Sequence, residues 1–424
     1  MDKPDDWRRT TLGAVLSEKP RNGYSPRCPM QPNDRWILSL GAVTEQGFNS
    51  DAVKPAPPGD ERVSDFRLSA GDLLISRSNT RGRVGFAGVY AGNPRWCAYP
   101  DLLVRLVVDR EQALPSYVES VLLSPAGRSY FESSARGTSE SMVKINRSII
   151  EGFEFVMPPL PEQRKIAAIL SSVDEAIEKT QVVIDRAQAV KKGLMQELLT
   201  KGLPGRHKTF KQTEIGQIPE SWEVGCLGDL SASCEYGLNA KLSSDSGGIP
   251  VLRMGNLQGG RVVLRRLKYL DWSAFDRDDL LLRTNDILFN RTNSIDLVGK
   301  VGLFVGDGRK VSFASYLLRL RVNDRAMAEW LAQLLHSSPV RRDLRALATQ
   351  GVSQANINRT KLLGYRIPIP PIEEQKGIAA RLSGLDETID QERNCCAALQ
   401  RLKSALMSVL LTGELRVRPD PEPA

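Results

Sequence analysis

The residues of this chain best suited to chemistry gather in two short polar loops. Arg77, Ser78, Asn79, Arg81 and Arg83 follow the apolar run Leu73-Leu74-Ile75, interleaved with small residues. Asn290, Arg291, Asn293 and Lys300 follow Ile287-Leu288-Phe289 in the same way. Asp286, Leu288, Arg291 and Asn293 stand 214 positions after Asp72, Leu74, Arg77 and Asn79. An arginine can bridge O6 and N7 of guanine, and an asparagine or glutamine can bridge N6 and N7 of adenine. Serine, threonine and lysine can hold phosphates. A second polar segment precedes each Ile-Asn-Arg triplet. It carries Thr138, Ser139, Ser141 and Lys144 in the first case, and Gln350, Ser353, Gln354 and Asn356 in the second. Nucleic-acid contact is the expectation for both segments, although the loops would also serve as solvated turns and the Gly/Ser segments as helix caps. The shared arginine, Arg77 and Arg291, is a poor candidate for base readout, because two surfaces reading different sequences would not share a reader. A phosphate, or a buried carboxylate such as Asp72 or Asp286, suits it better.

Other chemistries find no foothold. There is no GxxxxGK loop, no GxGxxG turn and no NPPY-like or DPPY-like motif. Two histidines, His207 and His336, leave no Ser/His/Asp constellation to build. None of the six cysteines forms a CxxC pair, so neither a zinc site nor a disulfide framework is expected. Asp174-Glu175-Ala176-Ile177 looks like a helicase box but lies within a helical pattern.

That helical pattern is the element the loops must be mounted on, and it occurs twice. PPLPEQRKIAAILSSVDEAIEKTQVVIDRAQAVKKGLMQELLT, residues 158–200, aligns without a gap to residues 370–412 at an offset of 212, half the chain length of 424. Apolar residues recur in steps of three and four at Ile166, Leu170, Val173, Ile177, Ile184, Leu194 and Leu198. The second copy answers with Ile378, Leu382, Leu385, Ile389, Cys396, Leu406 and Leu410. Each copy predicts a helical rod of roughly 60 Å, and the natural partner for its stripe is the other copy, run antiparallel. Glu162 and Glu374 place negative charge at the positive end of each rod.

The charge balance differs along the chain. Residues 1–157 hold 20 basic and 19 acidic side chains, and residues 206–369 hold 24 and 16. A basic excess attracts polyanions, and it sits in the second globular segment. No run approaches a membrane span, and MDKPDDWRR lacks the apolar core of a signal peptide, so a cytoplasmic protein is expected.

Ile145-Asn146-Arg147 and Ile357-Asn358-Arg359, each followed by PP-x-x-EQ and a long helix ending in L-L-T, resemble the specificity subunit of type I restriction-modification systems. The resemblance covers both repeats. It implies an α+β fold in which two globular target-recognition domains alternate with two long helices paired as an antiparallel coiled coil, in a pseudo-twofold repeat. The recognition domains would be 1–157 and 206–369. The spacer helices would be 158–205, linker included, and 370–415; composition predicts an exposed linker over Lys201–Gly216 and a frayed Pro-rich tail at 416–424. The resemblance implies a bipartite, asymmetric double-stranded DNA target and two modification subunits as partners, with restriction and motor subunits added. No cofactor is expected on this chain; S-adenosylmethionine, ATP and Mg would belong to the partners. Two other readings stay open from the residues alone: an enzyme with unfamiliar motifs, and a coiled-coil scaffold that binds only protein.

Overall fold

The computed structural model describes residues 6–31, 33–137, 142–351 and 354–419. The chain divides into two compact units, one comprising residues up to Val182 together with Arg393 onward, the other Val183–Glu392. Each is mixed α and β, as expected.

In the first unit, a four-stranded antiparallel sheet orders Arg21–Asn22, Leu103–Leu106, Leu73–Ser76 and Ala87–Val89. All four residues of Leu73–Ser76 are buried. A strand flanked on both edges and covered on both faces reads as a continuous apolar run rather than an alternating one. Arg8–Thr11 pairs antiparallel with Glu154–Met157 and closes the unit's two ends. The helices Pro115–Leu123 and Pro125–Ser134 meet at Ser124, whose hydroxyl accepts from Gly127 N at 3.1 Å and caps the second.

The second unit repeats this plan with additions. Its six-stranded sheet contains Ser231–Tyr236, Leu317–Val322, Ile287–Asn290 and Val301–Leu303 in the same order, extended by Gly260–Val262 and Leu257–Gln258. Glu223–Cys226 pairs with Arg366–Ile369, and the helices Ala328–His336 and Ser338–Ala346 answer the first unit's pair.

The long helices run Leu160–Lys201 and Ile372–Leu410. Within each unit the start of one packs beside the end of the other, so the pairing is antiparallel. Ile166, Leu170, Met407, Leu410 and Leu411 join the first unit's core, and Met195, Leu198, Leu199, Ile378 and Leu382 the second's. The helix ends are therefore built into two globular cores, more than the expected rod. The stripe also drifts: Met195 and Met407 are buried where Leu194 and Leu406 were expected, and those leucines are only half-buried. A straight helix drifts about 20° per heptad against a seven-residue repeat, which accounts for the change of residue.

Two ion pairs carry the same 212-residue shift. Lys403 Nζ lies 2.6 Å from Asp174, and Lys191 Nζ lies 2.6 Å from Asp386. The helicase-like Asp174 thus belongs to helix pairing. Among the described residues no helix is long and apolar enough to cross a membrane.

The PP-x-x-EQ motif is a joint. Glu162 and Glu374 are buried, not at a solvated helix start. Trp7 Nε1 donates to Glu162 and Trp222 Nε1 to Glu374, both at 3.0 Å. Gln163 accepts from Leu114 N and donates to Gln112 O and Pro158 O; Gln375 accepts from Met327 N and donates to Arg325 O and Pro370 O. The expected exposed linker and frayed tail are corrected in part by the same joints. His207 Nε2 and Leu203 N reach Glu374 Oε1 at 2.7 and 3.0 Å, and Arg416 binds both Glu162 and Asp6 at 2.8 Å. Burial pushes against the charge on Glu374. The His207, Leu203 and Trp222 hydrogen bonds outweigh it and hold the carboxyl below its ordinary value.

Candidate nucleic-acid interface

In each unit the buried strand of the main sheet leaves the core and turns into the polar loop. The turn is built identically in both. Ser76 N donates to Phe86 O and Gly85 N to Ser76 O in the first, at 2.8 Å each; Asn290 N donates to Lys300 O and Gly299 N to Asn290 O in the second, at 2.8 and 2.9 Å. Arg83 N and Val84 N bond Thr80 O, and Leu297 N and Val298 N bond Ser294 O. Gly85 and Gly299 sit at φ 77° and 79°, a region that favours glycine. At Gly85 a Cβ would also stand 2.5 Å from the Phe131 side chain.

The two polar segments of each unit form one surface. Ser78–Asn79 pairs antiparallel with Val143–Lys144, and Thr292–Asn293 with Ala355–Asn356, which in turn pairs with Thr349–Gln350. Ile145 N donates to Arg77 O at 2.9 Å and Ile357 N to Arg291 O at 2.8 Å. The asparagine of each Ile-Asn-Arg triplet caps a short helix, Asn146 accepting from Ile149 N and Asn358 from Lys361 N.

This geometry separates the expected contact residues into frame and surface. Ser78 and Asn290 are fully buried, which corrects their assignment as DNA contacts; the Asn290 amide nitrogen is spent on Leu297 O at 3.2 Å. Asn79 and Asn293 do not present a free adenine-reading edge, because each Oδ1 accepts the next residue's amide, Thr80 N at 2.9 Å and Ser294 N at 2.8 Å. Asn356 donates to Thr292 Oγ1 at 2.8 Å. Arg77 and Arg291 donate to the carbonyls of Asp101 and Ser315, each at 3.3 Å. Asp72 and Asp286 are neutralised instead by strand arginines, Arg105 at 2.9 Å and Arg321 at 2.7 Å, so the expected loop-arginine pairing with them is corrected. Arg81 reaches Glu132 O at 3.0 Å. Arg83, Lys144 and Gln354 are exposed and Lys300 half-exposed. Thr138 and Ser139, with Ser141 and Ser353, lie outside the described residues.

What fills the common frame differs. The positions of Arg81 and Arg83 are taken in the second unit by Ile295 and Leu297, both 39% exposed where a soluble surface would favour polar groups. An exposed arginine suits guanine, and an exposed aliphatic side chain suits the thymine methyl. Reading the two loops at the 214-residue offset would have exposed this contrast; Ile295 and Leu297 escaped because they carry no polar group. Arg21, Arg136 and Arg147 were also missed, because they are far apart in sequence and converge only in the fold. Among the described residues no cluster of three or more His, Cys, Asp or Glu side chains is placed to hold a metal ion.

Comparison with known proteins agrees with this architecture. A sequence family described as the type I restriction modification DNA specificity domain matches residues 58–184 and 219–401, more than half of the chain. The putative type I restriction enzyme MjaX specificity subunit of Methanocaldococcus jannaschii is 27% identical over 429 residues, covering 98% of this chain and 95% of that protein. The MjaVIII specificity subunit of the same organism is 30% identical, over 68% of each. Among solved structures, a chain from a study of complex assembly and conformational transition of the type I R-M system superposes with TM-score 0.56 at 17% identity, covering 98% of this chain and 100% of that one. The type I S subunit from M. genitalium gives TM-score 0.55 at 12% identity, covering 97% and 98%.

Proposed function

The chain belongs to the type I restriction-modification DNA specificity family, and on that premise we propose that each globular unit reads one half of a two-part DNA target. The observation that carries this reading is the loop pair: one backbone, held by the same hydrogen bonds, displaying Arg81 and Arg83 in one unit and Ile295 and Leu297 in the other. A frame kept constant while its side chains change is what two readers of different sequences require. The target is therefore asymmetric. The exposed guanidinium of Arg83 reads guanine in the first half, and Ile295 and Leu297 contact thymine methyls in the second.

The paired helices set the unread spacer between the halves. The chain carries no catalysis of its own. Two modification subunits supply S-adenosylmethionine and methylate adenine in the target, and restriction subunits supply the ATP- and Mg-dependent motor and nuclease. The cytoplasm is where such an assembly meets DNA.

The test is single-molecule methylation sequencing of DNA from cells expressing this chain with its modification subunit. A gapped, asymmetric methyladenine motif is expected. Arg83→Ala should relax one position in one half-site only, at a cost of about 1–3 kcal/mol of discrimination. Relaxation of both half-sites together, with the chain folded, would remove Arg83 from the readers.

A further inference from the structure

Beside the first unit's loop lies a cavity of about 580 Å³ whose floor is apolar and whose rim is basic. Val104, Ile145 and Ile150 form the buried floor. Arg21, Arg77, Arg136, Lys144 and Arg147 surround it, drawn from three separated stretches of chain, and among the described residues no acidic side chain lines it. Two of the cations have neighbours that leave their charge in place. Arg21 stacks on the Phe66 ring at 4.6 Å, and Arg77 donates one nitrogen to the Asp101 carbonyl. Arg147 is paired with the Glu151 carboxylate at 2.8 Å. Arg136 and Lys144 face each other across a β-bridge, and both are exposed. Like charges gathered round one concavity, with Arg147 alone of the five shown against a described carboxylate, repel one another unless an anion joins them.

The second unit has the same frame and has lost the cavity's chemistry. Strand register makes Tyr236 the counterpart of Asn22, since Tyr236 opposes Leu318 and Asn22 opposes Val104. Arg291, the counterpart of Arg77, lies 4.9 Å from the Tyr236 ring, and Arg359, the counterpart of Arg147, lies 5.9 Å from it. Glu235 stands where the first unit has Arg21, and Thr349 and Asn356 stand where it has Arg136 and Lys144. The tyrosine ring thus stacks near the two arginines whose counterparts, Arg77 and Arg147, line the open cavity in the first unit. The first unit carries a net charge near zero in its globular segment, so the concentration of cations here is local and not a consequence of composition.

We infer that this cavity is a seat for a DNA backbone phosphate, present in the first unit and absent from the second. The inference rests on the proposal that the first unit binds DNA. A phosphate there sits next to the reading loop, because Lys144 pairs with Ser78 in the strand that leads into it. Such a contact positions the duplex without reading it.

The test uses the complete chain with its modification subunit and a duplex carrying its methylation motif. DNA affinity is measured from about 50 to 200 mM salt for the wild type, for Asn22→Tyr, which installs the second unit's ring, and for the double variant Arg136→Gln/Lys144→Gln, which changes only exposed side chains. Each variant is expected to flatten the dependence of log affinity on log salt by about one, with the methylated bases unchanged. A single methylphosphonate in the first half-site should weaken the wild type about tenfold and leave both variants unaffected. Unchanged salt dependence in both variants overturns the inference, as does a change in the methylated bases. Competition by inorganic phosphate at constant ionic strength would assign the cavity to a free anion and also overturn it. A wild-type complex that binds no DNA of the motif would refute the DNA-binding proposal itself, a failure distinct from that of the cavity.

Discussion

Single residues show how far the two units have diverged on one frame. Glu119 on the helix Pro115–Leu123 accepts from Val89 N at 2.9 Å. Burial pushes its carboxyl from 4.5 up to about 7; the Val89 amide and Lys403 oppose the push, and Asp174 adds to it. The second unit has a neutral Gln333 at the corresponding position, donating to Asp386 at 3.1 Å. Because the folded chain holds this proton more tightly than the unfolded chain, the carboxyl costs no stability below about pH 4.5. Its cost grows as pH rises to about 7 and is complete above that. Glu119→Gln should therefore stabilise the chain by about 1–2 kcal/mol at pH 8, discounted for partial exposure, and leave it unchanged at pH 4. Thermal melts at the two pH values check this; equal gains at both would mean the effect is not ionisation.

At the scale of elements, the long helices are fixed in register by charge as well as by their apolar stripe. Lys191 is buried, and its ammonium lies 2.6 Å from one Asp386 oxygen and 2.7 Å from the other. Removing one member of a buried pair strands the other. Asp386→Ala should cost about 3–5 kcal/mol, while the double change Lys191→Met/Asp386→Leu should recover most of that loss. The pseudo-symmetric pair is more open, with the Asp174 side chain 35% exposed, so Asp174→Ala should cost less. Denaturant unfolding of the three variants beside the wild type tests the ordering, and equal costs at both pairs would contradict it. The joints at Glu162-Gln163 and Glu374-Gln375 explain why the motif appears twice. Each satisfies backbone groups where a long helix enters a globular core, including Leu114 N and Met327 N at the N-terminal caps of the helices Pro115–Leu123 and Ala328–His336.

For the whole molecule, the proposed division of labour makes length a functional variable. Seven residues inserted in both long helices, after Val182 and before Arg393, preserve the phase of the stripe and add about 10 Å. At 3.4 Å per base pair the methylated motif should gain about three unread positions in its spacer, with both half-sites kept. Methylation sequencing reads this directly, and an unchanged spacer in an active, folded complex would refute the ruler.

The duplication, the two long helices, the buried strands and the family were all legible in the sequence, because each is written in local periodicity or in a repeat of fixed offset. Leu73–Ile75 and Ile287–Phe289 are apolar runs wherever they are read, and Pro158–Thr200 aligns with its copy without a gap. What the polar residues do was settled only in three dimensions, because their partners lie far away along the chain. Asp72 is answered by Arg105 and not by Arg77. Asn290 is drawn inside by Leu297 O. Glu162 is held by Trp7 and Arg416 from opposite ends of the chain. The repeated polar residues, which look most like a signature of contact, are mainly the frame. The two copies differ most at exposed positions such as Arg83 and Leu297, and burial, which depends on the whole fold, is what separates these from the frame.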